Sequence, residues 1–207
     1  MAEQLKLLVF EDNEDDFVLL RERVARLEQF DAELILEKDA SDAAGRVRDH
    51  APTVVLLDYR LSGTDGIEVL KSIRSSGIAT PVIVLTGQGD QYIAAEITRA
   101  GADAYLVKDD LDTPRLPEAL RGAVELAGRT KHQNHERSDT LSKLQTLTPR
   151  EAEVLDQIIN GLTNKQIAAK LHRSVETIKV HRAHIMSKVQ ADSTADLVRR
   201  VMTARLG

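Results

Sequence analysis

Along residues 1–130, short apolar runs alternate with amphipathic stretches. The runs are residues 5–10, 34–36, 54–57, 82–85 and 104–107. Short and mostly rich in Val, Ile and Leu, they predict buried parallel strands. Between them, Phe17, Leu20, Val24 and Leu27 fall on one helical face. Ile67, Leu70 and Ile73 form a second stripe, and Ile93 and Ile97 a third. Gly77 and Gly101 stand where the third and fourth helices should stop. The order is (βα)5, a doubly wound parallel sheet with helices on both faces. In such sheets ligands bind beyond the carboxyl ends of the strands.

The pattern then changes. Residues 128–143, "GRTKHQNHERSDTLSK", are polar with almost no apolar period. They read as a linker into which the fifth helix can continue. From Thr146 onward only helical spacing remains, with Val154, Leu155 and Ile158 leading four successive stripes. Three regions are therefore expected: 1–128, a linker at 129–143, and a small all-α four-helix domain at 144–207. No internal repeat is visible.

Charge sharpens this division. The chain has 207 residues and a net charge of −5. Residues 1–140 carry 17 basic and 27 acidic side chains, residues 141–207 carry 11 and 6. Opposite signs suggest different partners, and the basic part suits nucleic acid. There is no cysteine, so disulfides and thiol chemistry are excluded, and His or carboxylates are the expected metal ligands. No apolar run approaches the ~20 residues of a membrane span, and the N-terminus lacks a signal-peptide pattern. A cytoplasmic protein with no membrane partner is expected.

The strand ends carry the candidate chemistry. The first ends in Glu11-Asp12, the third in Asp58, the fourth in Thr86 and the fifth in Lys108. Three carboxylates, a hydroxyl and an ammonium should meet at one rim. Oxygen-only ligands suit a hard cation, Mg²⁺. Beside it Asp58 can attack a phosphoryl group, with Lys108 and Thr86 stabilising the phosphoryl oxygens. Glu14, Asp15 and Asp16 fall where the next helix starts, and are expected to serve as cap and favourable charge at its positive end.

Glu11-Asp12, Asp58 with Gly66 eight residues on, Thr86-Gly87, and Lys108 with Tyr105 three before it resemble the receiver domain of two-component response regulators. The resemblance spans about residues 4–128. It implies that Asp58 is the phosphoacceptor, with a histidine kinase as donor. Asp12, Asp58 and the backbone carbonyl of Arg60 would ligate Mg²⁺, and Glu11 would act largely through water. Thr86 and Tyr105 would be the switch pair. Arg60 and Gln88 would flank the acyl phosphate. Two departures stand out. The first acid is Glu rather than the commoner Asp. Ser62 stands where the family usually has Pro, so that loop loses a rigid φ.

In the basic part, Thr148, Pro149 and Glu151 predict a capped helix start with a capping box. Residues 163–171, "HRS", then Val175–Val189 have helix-turn-helix spacing. Spacing alone suits a protein-docking bundle equally well. The words "LTPRE", "GLTNKQIA" and "TIKVH" resemble the LuxR-type DNA-binding domain of NarL/FixJ response regulators. That resemblance implies a recognition helix at Val175–Val189 in the major groove of double-stranded DNA. Lys179, Val180 and Ala183 would face base edges; Lys165, Thr177, Arg182 and Lys188 would meet phosphates. His181 reads as core packing.

Together these features predict a DNA-binding response regulator, not an enzyme, that dimerises when active. The competing readings are a Mg²⁺-dependent phosphohydrolase, and a constitutive DNA-binding regulator insensitive to phosphate.

Overall fold

A computed structural model of the chain describes residues 2–87 and 91–206. It forms two compact units, residues 1–130 and 131–207. The strands are β1 (Glu3–Phe10), β2 (Phe30–Glu37), β3 (Val54–Asp58), β4 (Arg60–Leu61), β5 (Thr64–Asp65), β6 (Val82–Thr86) and β7 (Ala104–Val107). The helices of the first unit are α1 (Glu14–Ala25), α2 (Ala43–His50), α3 (Gly66–Ser75), α4 (Gln91–Arg99) and the start of α5 (Arg115–Gln145). Then follow α6 (Pro149–Ile159), α7 (Asn164–Lys170), α8 (Val175–Val189) and α9 (Thr194–Leu206).

The five main strands are parallel, in the order β2-β1-β3-β6-β7. Every residue of β3 and β6 is buried, as expected of strands covered on both faces. Strand alternation sorts their side chains into two cores. Leu7, Val9, Leu56 and Leu85 pack with Leu20 and Val24 of α1 and Leu116 and Leu120 of α5. Leu8, Phe10, Leu57 and Val84 pack with Val47 of α2, Leu70 and Ile73 of α3 and Ile97 of α4. The period of two thus gives one sheet face to α1 and α5 and the other to α2, α3 and α4. Chain order puts the carboxyl ends of β1, β3, β6 and β7 on one rim.

The loop after β3 is held close. Gly66 N donates to Tyr59 O at 3.0 Å. A Cβ at Gly66 would lie 2.5 Å from the Asp58 carbonyl oxygen, so no larger residue fits without moving the backbone beside Asp58. The hairpin β4–β5 fills this loop.

The segment expected as a linker is helical throughout, because α5 runs unbroken to Gln145. Its last part packs within the second unit. Arg137 Nε donates to Ala204 O at 3.2 Å, and Lys143 Nζ to Gln190 Oε1 at 2.7 Å. In that unit Val154, Leu155, Ile167, Ile178, Ile185, Val189, Leu197 and Val201 form one core. The capping box at Thr148 and Glu151 is present, and a second caps α7 through Thr163 and Gln166. His172 takes a positive φ of 51° in the turn before Ser174 caps α8.

Candidate functional site

Glu11 and Asp58 continue the alternation that sends Val9 and Leu56 toward α1 and α5. Both are buried, and both point at Lys108. Its Nζ lies 2.8 Å from Glu11 Oε2, 2.6 Å from Asp58 Oδ2 and 2.6 Å from Asp16 Oδ2. Each carboxylate of the strand ends has a backbone donor as well: Asn13 N reaches Glu11 Oε1 at 3.1 Å, and Arg60 N reaches Asp58 Oδ1 at 3.0 Å. These side chains line an open cleft of about 370 Å³ with Asp12, Gly87 and Arg60.

The charges are strongly perturbed. Burial raises the Glu11 pKa from 4.5 to about 7; Lys108 opposes the rise and nearby Asp58 adds to it. Burial disfavours the Lys108 ammonium, yet its bonds to Asp16, Asp58 and Glu11 outweigh that cost and hold its pKa above the usual value. One ammonium therefore neutralises part of a crowded acidic set. Oxygens of Glu11, Asp16 and Asp58 all lie within 4.8 Å of one another. That donor set fits a hard divalent cation.

Asp16 lies in the first turn of α1, as expected, with Asn13 as the cap accepting from Asp15 N. From that turn Asp16 also reaches the site through Lys108. Asp12, expected as a direct Mg²⁺ ligand, has its own partner across the cleft. Its Oδ2 accepts from Ser62 N at 2.9 Å and from the Ser62 hydroxyl, and the hydroxyl and amide together hold its carboxyl below the usual range. A proline at position 62 offers neither donor. Asp12 still lines the cleft.

Thr86 ends β6 and is buried. Tyr105 pairs with Val84 across the β6–β7 ladder, which places it on the same sheet face as Thr86 and two residues back. Its side chain is 43% exposed, so it is not a core aromatic. Gln88 lies outside the described residues.

In the second unit, Ile178, Ile185 and Val189 turn α8 into its core. Lys179, Val180 and Ala183 are exposed, Val180 at 48%. Lys179 pairs with Glu176 at 3.1 Å on the helix surface. Thr177 is half-buried and shares a hydrogen bond with Ser174 at the start of α8. Arg182 donates to Thr194 Oγ1 at 2.7 Å, and Lys165 is exposed on α7. Lys188, expected at a phosphate, also has partners inside the unit. Its Nζ is 2.7 Å from Glu151 Oε2 and 3.1 Å from Thr146 O. Glu151 is buried and also accepts from Thr148 N. Its carboxyl is held at about pH 2 rather than 4.5, first by Lys188 and then by Thr148.

A doubly wound sheet with an acid-and-lysine rim, followed by a helix-turn-helix unit, defines a receiver joined to a DNA-binding module. Comparisons agree. The response regulator receiver domain family matches residues 7–121, and the family of bacterial regulatory proteins of the luxR type matches residues 145–201. The transcriptional regulatory protein FixJ of Bradyrhizobium diazoefficiens is 36% identical over 150 residues, covering 72% of this chain and 73% of that protein. A nitrate/nitrite response regulator protein homolog of Haemophilus influenzae is 33% identical over 199 residues, covering 93% and 94%. The solved response regulator StyR aligns with a TM-score of 0.70 and 28% identity, covering 97% of this chain and 98% of that one. The chain belongs to the response regulators that pair a receiver with a LuxR-type DNA-binding domain, and is a phosphorylation-controlled transcription regulator. Among the described residues, no helix is long and apolar enough to cross a membrane.

Proposed function

We propose that Asp58 is the phosphoacceptor and that a histidine kinase is its donor. The observation that carries this reading is the convergence of Lys108 Nζ on Asp58 Oδ2 at 2.6 Å inside an open acidic cleft. Asp58 Oδ2 forms the new O–P bond while the P–N bond of the phosphohistidine breaks, and the imidazole leaves with the bonding pair. Asp58 thereby loses its anionic charge. Lys108 keeps Glu11 and Asp16 as anchors and turns to a phosphoryl oxygen. Thr86 donates its hydroxyl to another, and Tyr105 follows along the same face. Glu11, Asp12, Asp58 and the Arg60 carbonyl would hold Mg²⁺, with Asp16 as a further carboxylate. When bound, Mg²⁺ supplies positive charge that lets a phosphoryl group approach these acids. Asp58 accepts one group per chain rather than turning over, the working form is a homodimer, and the site of action is the cytoplasm.

The test adds Mg²⁺ and acetyl phosphate to the full chain. One phosphoryl group should appear by intact mass, and affinity for a DNA duplex selected from a random pool should rise. An adduct that leaves DNA affinity unchanged would restrict phosphate to a role outside DNA binding.

Base reading is assigned to Lys179, Val180 and Ala183; Lys165, Thr177 and Arg182 are assigned to phosphates. Lys179→Ala should weaken binding to the selected duplex by ~1–3 kcal/mol and leave random DNA far less affected. Equal losses on both duplexes would remove Lys179 from base recognition.

A further inference from the structure

Asp12 and Ser62 tie together two loops of the acidic cleft. Asp12 follows β1, and Ser62 stands at the tip of the β4–β5 hairpin that follows β3. Ser62 N donates to Asp12 Oδ2 at 2.9 Å, and the Ser62 hydroxyl donates to the same oxygen. The base of the hairpin has its own anchor, because Gly66 N donates to Tyr59 O at 3.0 Å. The tip has no apolar anchor. Ser62 and Gly63 are both exposed, and Gly63 takes a φ of 84°. A tip of this kind opens readily unless polar contacts hold it. Hydrogen bonds to a carboxylate are of the stronger, charge-assisted kind.

What the tie holds lies on either side of it. Arg60 stands two residues before Ser62, and its amide donates to Asp58 Oδ1 at 3.0 Å. The Arg60 carbonyl and Asp12 are both assigned to the cation. Ser62 therefore fixes two assigned ligands, from two loops, against each other. Asp12 is also held differently from the other acids. Lys108 Nζ bonds to Glu11, Asp16 and Asp58, so a cation competes with an ammonium for those three. The donors from Ser62 are neutral. They orient Asp12 without cancelling its charge, and a carboxylate held through one oxygen keeps the other for a metal.

We propose that Ser62 is a positioning residue for the divalent cation, its amide and hydroxyl setting Asp12 against the Arg60 loop before the cation enters. The proposal rests on the reading of Asp12, Asp58 and the Arg60 carbonyl as ligands. Hydrogen-bond partners of metal ligands typically carry ~10–100-fold of affinity, because they fix the ligand's orientation in advance. Proline at this position fixes its own φ but has no donor with which to orient Asp12.

Mg²⁺ titrated calorimetrically into the full, unphosphorylated chain provides the test. Ser62→Ala removes the hydroxyl and keeps the amide, so Mg²⁺ affinity should fall by about tenfold, the low end of that range. Ser62→Thr keeps both donors and should bind Mg²⁺ as the unmodified chain does. Ser62 is exposed, so neither substitution should move the melting temperature far. Asp12→Asn should lose most of the Mg²⁺ binding and tests the ligand reading separately. Unchanged or tighter binding by Ser62→Ala would overturn the proposal and leave that reading intact. So would a loss in Ser62→Ala matched by an equal loss in Ser62→Thr, which would trace the effect to loop shape rather than to the hydroxyl. Full Mg²⁺ binding by Asp12→Asn, or none by the unmodified chain, would overturn the ligand reading and the proposal with it.

Discussion

Asp58→Asn should take no phosphoryl group from acetyl phosphate, where the unmodified chain takes one, and should lose all phosphate-dependent change in DNA affinity. The effect should be total rather than graded. An amide has no anionic oxygen to attack phosphorus, and the neighbouring acids do not substitute for it. Glu11 is buried with both oxygens engaged, and Asp16 is tied to Lys108. The fold should survive, because Asn keeps a carbonyl oxygen for the Arg60 amide that now donates to Asp58 Oδ1 at 3.0 Å. Replacing one of three clustered carboxylates also relieves repulsion around Lys108, so the melting temperature should not fall. Intact mass and thermal unfolding on the same samples check both halves. A full adduct on Asp58→Asn would move the phosphoacceptor elsewhere.

That prediction was reachable from sequence because a parallel sheet converts strand order into geometry. Asp58, Thr86 and Lys108 each end or follow a short apolar run, and such runs are easily read when both faces are buried. The residues 104–107 were read to their full extent. β2 was read as three residues but spans Phe30–Glu37, because Asp31, Glu33 and Glu37 break its apolar run. The hairpin β4–β5 carries no periodic signal and was not anticipated.

The interactions that went unread are those whose partners lie on other elements. Acids at the start of a helix have a sufficient local explanation in the dipole, which concealed the reach of Asp16 across to Lys108, 92 positions away. Ser62 was visible as a departure from a familiar pattern, but its grip on Asp12 spans 50 positions. Lys188 looked like one more cation on a recognition helix. Its partner Glu151 seemed fully accounted for by the capping box, and nothing local to either residue pairs them.

Lys188 and Glu151 give the second large effect expected. Lys188→Ala should take the lysine from a buried carboxylate that keeps its Thr148 donors, a change on the order of 1–3 kcal/mol because the lysine is partly exposed. The loss should show as faster native-state amide exchange at Val154 and Leu155, which pack in the same core as the helix that Lys188 anchors. Acid should reproduce it in the unmodified chain. The Glu151 pKa is depressed on folding, from 4.5 to about 2. Its contribution is therefore complete above the unfolded value and disappears as pH falls through the folded one, by no more than ~3 kcal/mol. Exchange at α6 should accelerate between these two pH values in the unmodified chain, and less in Lys188→Ala, whose Glu151 keeps only the Thr148 hydrogen bonds to lower its pKa. DNA separates this role from a phosphate contact. A lysine that touches phosphate flattens the salt dependence by about one when removed, whereas a lysine that holds α6 to α8 lowers the folded fraction without changing that slope. Unchanged amide exchange together with a slope reduced by one would return Lys188 to the DNA interface and leave Glu151 to its cap alone.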